Sequence, residues 1–518
     1  MSKNNLKSLN MKSEDFRLAG HRLIDRIAEF MDKLPNYSVT SAENPSTIRS
    51  LLKNQSIPME GQQVQGILDD SMDLLFNHSL FNGHPKFWGY ITSSAAPIGA
   101  LADLLAASVN PNVGAFTLSP MATEIERQTV SWLAELIGYH QDCGGLCVSG
   151  GNMANFLGFL TARANKLKAN IRKEGLVEIQ VRDVEQDQTK TQQDAGIKDE
   201  KRRYTVYCAQ GTHTWIHKAT DLFGHGTDSI RWINISSSNQ MDTEHLKEQL
   251  TLDLRFGHQP FMVVGNAGSV GTGVVDQLDE IATICKSFDL WFHVDGAYGA
   301  PAAALPELAE LFKGLDRADS IALDPHKWLY SPLEAGCILV KNSNHLHETF
   351  NYNPEYYNFG GDGQENPVNF HEYGMQNSRG FRALKVWMSL KQVGKLGIAN
   401  MIRKDILLAK ELFQLIEKTS RLKAISHNLS ITTFRFIPDN LPRDSKEEYL
   451  NLLNETLLNR LQSGGEVFLS NAVIDGKYCL RVCIVNFRTT YSDLQDLVKI
   501  VLLEGEKVHK ELQSVKSH

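Results

Sequence analysis

Residues 291–299 read WFHVDGAYG and residues 318–330 read ADSIALDPHKWLY. In each, a short continuous apolar run breaks off into polar residues, the pattern of a strand buried on both faces of a sheet. Asp295 and Lys327 then stand at the carboxyl ends of two such strands, the edge at which open α/β sheets bind ligands.

Outward from this pair, the short apolar runs YTVYCA (204–209), FMVVGN (261–266) and AGCILV (335–340) alternate with helical stretches. That alternation predicts an α/β fold with a mostly parallel sheet and helices on both faces, over residues 101–392. Residues 1–100 read as a helical arm. From Phe16 the positions Leu23, Ile24, Ile27, Phe30 and Met31 repeat with helical spacing until Pro35, and Leu68, Met72 and Leu75 mark a second face. Two such helices bury little by themselves, so the arm is expected to pack against another surface. A long amphipathic helix over 389–418 leads into the last segment, 393–518, which then alternates through SITTFRFIP and KYCLRVCIVN and closes on a helix, a small α+β domain. Between Glu174 and Arg203 the chain is charged and almost without aromatics, which reads as a solvated, mobile insertion.

An apolar content of 42% is ample for a large core, and a net charge of -7 with scattered basic residues argues against nucleic acid or an anionic membrane as partner. The first sixteen residues lack the apolar core of a signal peptide, and no stretch approaches about 18 uninterrupted apolar residues. Seven cysteines suit reduced thiols, so a cytoplasmic protein is expected. His140, Cys143 and Cys147 invite a zinc reading, but no fourth ligand follows at finger-like spacing, and no metal is expected.

A carboxylate and a lysine at one sheet edge are what pyridoxal phosphate (PLP) needs. The amine forms a Schiff base with the cofactor aldehyde, and a buried aspartate keeps the pyridine nitrogen protonated so that the ring absorbs carbanion electrons. Alone, either residue reads equally well as a strand cap or a surface lysine. VSGGNMANFLGFLTARANK (148–166) adds a glycine turn opening a helix, whose first amides and dipole suit a phosphate. Gly151 and Asn152 are the expected phosphate contacts, with Gly150 allowing close backbone approach.

HVDGAYG, DPHKW, SGGNMAN and THTWIHKA together resemble the PLP-dependent amino-acid decarboxylases of the aromatic-L-amino-acid and glutamate decarboxylase group, and the resemblance runs from about residue 14 to 505. It implies the fold-type I architecture of PLP enzymes and a homodimer in which the N-terminal helices wrap around the partner. It implies that His213 stacks on the cofactor ring, where it can also steer the substrate carboxylate, with His217 as the competing candidate. His326 is expected to bond the phosphate or the substrate carboxylate. Asp324 stands where many relatives carry asparagine, so a carboxylate there would repel phosphate unless it faces elsewhere. Asn266 occupies a position of contact to the phenolic oxygen, usually threonine or serine in relatives, and Ala297 would lie under the ring.

The stretch NYNPEYYNFGGDGQENPVNFHEYG (351–374) is too long for a routine connection and reads as a lid. Through NPEYY the resemblance implies that Tyr356 donates the proton to Cα after CO2 leaves, with Tyr357 one register away. Arg379 and Arg382 read as ion-pair or surface residues. Phe87, Trp88 and Tyr90 read equally as an apolar substrate pocket or as core.

PLP weakens whichever Cα bond is perpendicular to the ring, so the Asp295/Lys327 set alone does not choose the reaction. The resemblance implies decarboxylation of an L-amino acid, an aromatic one by LSPMATEIE and HKWLY. The alternatives are an acidic substrate (glutamate, aspartate or cysteine sulfinate), another PLP lyase, an aldehyde-forming enzyme, or a silent scaffold.

Overall fold

The computed structural model describes residues 9–52, 56–167, 171–176, 202–352, 367–441 and 447–516. Most of the predicted insertion, and both Tyr356 and Tyr357, lie outside these residues. The chain divides into two units, one of Met1–Tyr90, Glu411–Ile425 and Thr433–His518, the other of Ile91–Lys410 and Ser426–Thr432.

In the first unit, α1 (Ser13–Lys33) ends where Pro35 enters a 3-10 turn, α2 (Pro45–Leu51) is capped by the Asn44 side chain, and α3 (Val64–His78) returns along α1. Arg22 grips Asp69 through two hydrogen bonds of 3.1 and 2.7 Å, and the Phe30 ring stacks on Phe76 at 4.4 Å. The apolar face is nevertheless only half covered. Met72 is buried, but Leu75, expected on the same face, is 62% exposed and Phe16 is 58% exposed. Farther on, Phe87 stacks on Phe468 at 5.4 Å, and the Trp88 indole donates to Thr489 Oγ1 at 3.1 Å. Phe87 and Trp88 are therefore core of this unit, while Tyr90 is exposed.

The second unit holds a seven-stranded sheet: β1 (Gly144–Val148), β2 (Tyr204–Ala209), β3 (Ile230–Ile233), β4 (Gln259–Asn266), β5 (Trp291–Asp295), β6 (Ser320–Leu323) and β7 (Gly336–Val340), in the order β1-β7-β6-β5-β4-β2-β3. The pairs β3/β2, β2/β4, β4/β5 and β5/β6 are parallel, whereas β7 runs antiparallel to both β6 and β1. Every residue of β5, β6 and β7 is buried, each large side chain contributing roughly 1.5–3 kcal/mol. The helices of this unit up to β7 and just after it are α4 (Pro97–Val109), α5 (Pro120–Leu136), α6 (Gly151–Lys166), α7 (Ile171–Glu174), α8 (Trp215–Leu222), α9 (Thr243–Arg255), α10 (Leu278–Ser287) and α11 (Ser343–Phe350). Helix α6 packs across β4, β5, β6 and β7, and at Gly158 the approach is so close that a Cβ would sit 2.6 Å from His293 Cε1.

Strand β1 is an edge strand, and a buried ion pair closes its open side. Glu126 on α5 accepts from the Cys147 amide at 2.8 Å, and Arg379, paired with Glu126, donates to the Cys147 carbonyl at 2.6 Å. Arg379 thus serves the backbone just before the glycine turn.

The long helix expected over 389–418 is α12 (Ala383–Glu417), broken at Gly394, whose φ of 68° lies outside helical geometry and favours glycine. Beyond it come β8 (Leu422–Asn428), β9 (Ile431–Phe436), α13 (Glu447–Gly464), β10 (Ser470–Ile474), β11 (Lys477–Cys483) and α14 (Tyr491–Lys516). The four strands form one sheet in the order β10-β11-β9-β8, and α13 packs on β11 and α14.

Candidate active site

Asp295 is the last residue of β5, and Lys327 follows the end of β6 by one tight turn in which its amide donates to Asp324 O at 2.8 Å. At this carboxyl edge lies a cavity of about 340 Å³. All ten residues expected to hold the cofactor line it: Gly150, Gly151, Asn152, His213, Asn266, Asp295, Ala297, Asp324, His326 and Lys327. His217 does not. It lies exposed on α8 with its ring 5.1 Å from Trp232.

One end of the cavity is a backbone cradle. Gly150 has φ 107°, and a Cβ on Gly336 would come within 2.5 Å of Gly150 Cα, so both positions need glycine. No side chain caps α6, which leaves its first-turn amides open toward an anion. Asp324 is buried beside this turn. Its Oδ2 is 2.9 Å from Lys327 Nζ, and its Oδ1 has no hydrogen-bond partner. The carboxylate therefore faces the lysine with one oxygen. His326 is tied down at Nδ1, which donates to Ala335 O at 2.7 Å.

At the other end, Asp295 Oδ2 accepts from the Trp215 indole at 2.8 Å and Oδ1 accepts from the Ala297 amide at 3.2 Å. His213 Nδ1 accepts from the Trp215 amide at 3.2 Å. Burial pushes the His213 pKa down, the Asp295 charge opposes this and the Lys327 charge adds to it, so the ring is neutral at neutral pH. Asn266 uses its amide nitrogen on Asp276 Oδ2 at 3.0 Å and Thr212 Oγ1 at 3.2 Å, so it offers a phenolic oxygen only its own Oδ1, an acceptor.

Sequence reasoning missed five polar residues here, one of them Ser149, which lines the cavity beside Gly150. Asn155 and Tyr298 line the cavity, and Trp215 lies under Asp295. Asn155 was accessible to it, being one helical turn past Gly151 on α6. Glu334, which also lines the cavity, accepts from Arg382 Nε at 2.8 Å.

The pyridoxal-dependent decarboxylase conserved domain matches residues 45–437. The chain belongs to this family. An aromatic-L-amino-acid decarboxylase of Bacillus atrophaeus is 32% identical over 502 residues, covering 96% of this chain and 98% of that one. A phenylacetaldehyde synthase of a Rosa hybrid cultivar is 26% identical over 482 residues, covering 91% and 90%. Among solved structures, Oryza sativa TDC with PLP and tryptamine superimposes with a TM-score of 0.86 at 22% identity, covering 97% of this chain and 99% of that one. This pyridoxal-dependent decarboxylase is thus a carboxy-lyase of fold-type I architecture. The residues present fit its cofactor: an uncapped helix end for phosphate, a lysine amine for the aldehyde, and a buried carboxylate for the pyridine nitrogen.

Proposed function

We propose that the protein is a cytoplasmic homodimer that decarboxylates an aromatic L-amino acid to its amine. The observation that carries this reading is the single cavity holding Lys327, Asp295, His213 and the uncapped turn of α6. The aromatic substrate is supported by the Bacillus atrophaeus relative. The homodimer is supported by the open face of α1 and α3 and by Leu101, Leu104, Leu105 and Val109 on α4, each 47–68% exposed. None of the seven cysteines, all within the described residues, forms a disulfide, as suits a reducing compartment, and among the described residues no helix is long and apolar enough to cross a membrane.

Bound PLP supplies a sink for the electron pair released when the bond from Cα to the carboxylate breaks. Around it, Lys327 would hold the aldehyde carbon, and Asp324, in contact with Nζ, would accompany the lysine charge. The amides of Gly151 and Asn152 would take the phosphate, with His326 beside them and Gly150 keeping the approach clear. Asp295 would hold a proton on the pyridine nitrogen, Asn266 would meet the phenolic oxygen, and Ala297 would leave room for the ring. His213, neutral and protonated on Nε2 because Nδ1 accepts from Trp215, would orient the substrate carboxylate. Tyr356 would deliver the proton to Cα.

The test is incubation of the PLP-loaded protein with a panel of L-amino acids, measuring CO2, amine and aldehyde. Aromatic substrates should give CO2 and amine, and preference for glutamate or aspartate would overturn the substrate assignment. With the best substrate, Tyr356→Phe should shift product from amine toward aldehyde while KM changes little. An unchanged product ratio in both Tyr356→Phe and Tyr357→Phe would remove the lid tyrosines from the mechanism.

A further inference from the structure

Trp215 is the first residue of α8 and is completely buried. Its indole N–H donates to Asp295 Oδ2 at 2.8 Å, while the opposite oxygen accepts from the Ala297 amide. We infer that Trp215 is the positioning residue of this site, setting the carboxylate that meets the cofactor's ring nitrogen. The inference rests on the PLP assignment above and adds to it a residue that contacts no reacting atom.

Chemistry suits the indole to this task. It donates one hydrogen bond, accepts none and does not titrate, so it holds the Asp295 carboxylate in place without taking up or giving a proton itself. A histidine or tyrosine there could exchange a proton with Asp295. Through its main chain the same residue donates to His213 Nδ1, so Trp215 fixes the aspartate and also selects the tautomer of His213.

The indole is itself held. His293 meets it edge-on with ring centroids 5.8 Å apart. Both His293 nitrogens are occupied, Nδ1 by Ser320 Oγ at 2.7 Å and Nε2 by Asn155 Oδ1 at 2.7 Å, and Ser320 Oγ accepts from the Trp291 indole at 2.8 Å. Trp291 N–H, Ser320 O–H and His293 then run as donors in one direction, with His293 Nε2–H donating to Asn155. This chain leaves the His293 ring no alternative rotamer with all partners kept.

Trp215→Phe removes the N–H and keeps the ring and the main-chain bond to His213. The experiment measures the dissociation constants of PLP and of its carbocyclic analogue, with CH in place of the ring nitrogen, for apo wild type and apo Trp215→Phe. Wild type should prefer PLP, and the variant should lose roughly ten-fold of that preference, the scale of one hydrogen bond to a charged group, while binding the analogue as wild type does. An unchanged preference, or equal weakening toward both ligands, would overturn the role of Trp215. If wild type itself shows no preference, the assignment of Asp295 falls instead. Should Trp215→Phe not fold, indole-15N-labelled tryptophan in apo wild type and Asp295→Asn replaces it. An indole N–H resonance moving upfield in Asp295→Asn supports the bond, and none of the seven moving refutes it.

Discussion

The ends of β5 and β6 and the helices α1 and α3 are built on opposite terms. At the strand ends, Asp295, His213, Lys327 and His326 each have a named partner within 2.7–3.2 Å, supplied by the same unit. Along α1 and α3, one stacked ring pair and exposed ion pairs of little energetic weight hold two helices whose apolar positions stay half open. The strand-end cluster is preorganised within its own unit, whereas the arm leaves apolar surface open, and helical stability comes mainly from packing of the apolar face.

Breaking the first region should therefore remove activity and leave assembly intact. Lys327→Ala should give no CO2 above background at the oligomeric mass of wild type, with a lowered thermal transition, because buried Asp324 loses the ammonium 2.9 Å away. Loss of the folded state in this variant would mean that the lysine is structural. Breaking the second region should do the reverse first. Deletion of residues 1 to 80 should give a monomeric or insoluble protein by light scattering, and activity should disappear as a consequence. A soluble, active, monomeric product would show that the open faces of α1 and α3 cover nothing.

A smaller effect separates the buried frame of the large unit from its exposed parts. Burial pushes His293 and His225 down to about 4, and His225 packs among the rings of Phe159 and Phe261. With folded pKa values below the unfolded one near 6.5, the unfolded chain takes up protons first as pH falls. The stability is fully present above about pH 6.5 and is lost progressively down to about pH 4. At pH 5 each histidine should cost about 2 kcal/mol. Denaturant titrations at pH 7 and pH 5 check this, and His225→Phe should remove about half of the two histidines' difference.

Much of this was legible in the sequence because the strands carrying the site are continuous apolar runs. WFHVD and SIAL are buried at every position, so a short local pattern located Asp295 and Lys327 at one sheet edge. The glycines of the α6 turn were legible for a similar reason, since only glycine suits that backbone. Strand β3 escaped notice because four residues, two of them only half-buried, give no period to count. The break at Gly394 was hidden inside a helical pattern that tolerates an isolated glycine. Trp215 was invisible because its partner lies eighty positions away on β5, and only the packing of α8 brings the indole to Asp295. Phe87 and Trp88, readable as pocket or core, became core through Phe468 and Thr489, which no local pattern connects to them.

The claim that the strand-end cluster is a PLP site with Lys327 as its covalent anchor is tested most directly by reduction. Wild-type protein loaded with PLP is treated with borohydride, digested, and the peptides are mapped by mass. The cofactor should be found on the peptide containing Lys327 and nowhere else, and its recovery should vanish in Lys327→Ala. Cofactor fixed to any other lysine, or fixed equally well in Lys327→Ala, would contradict the account.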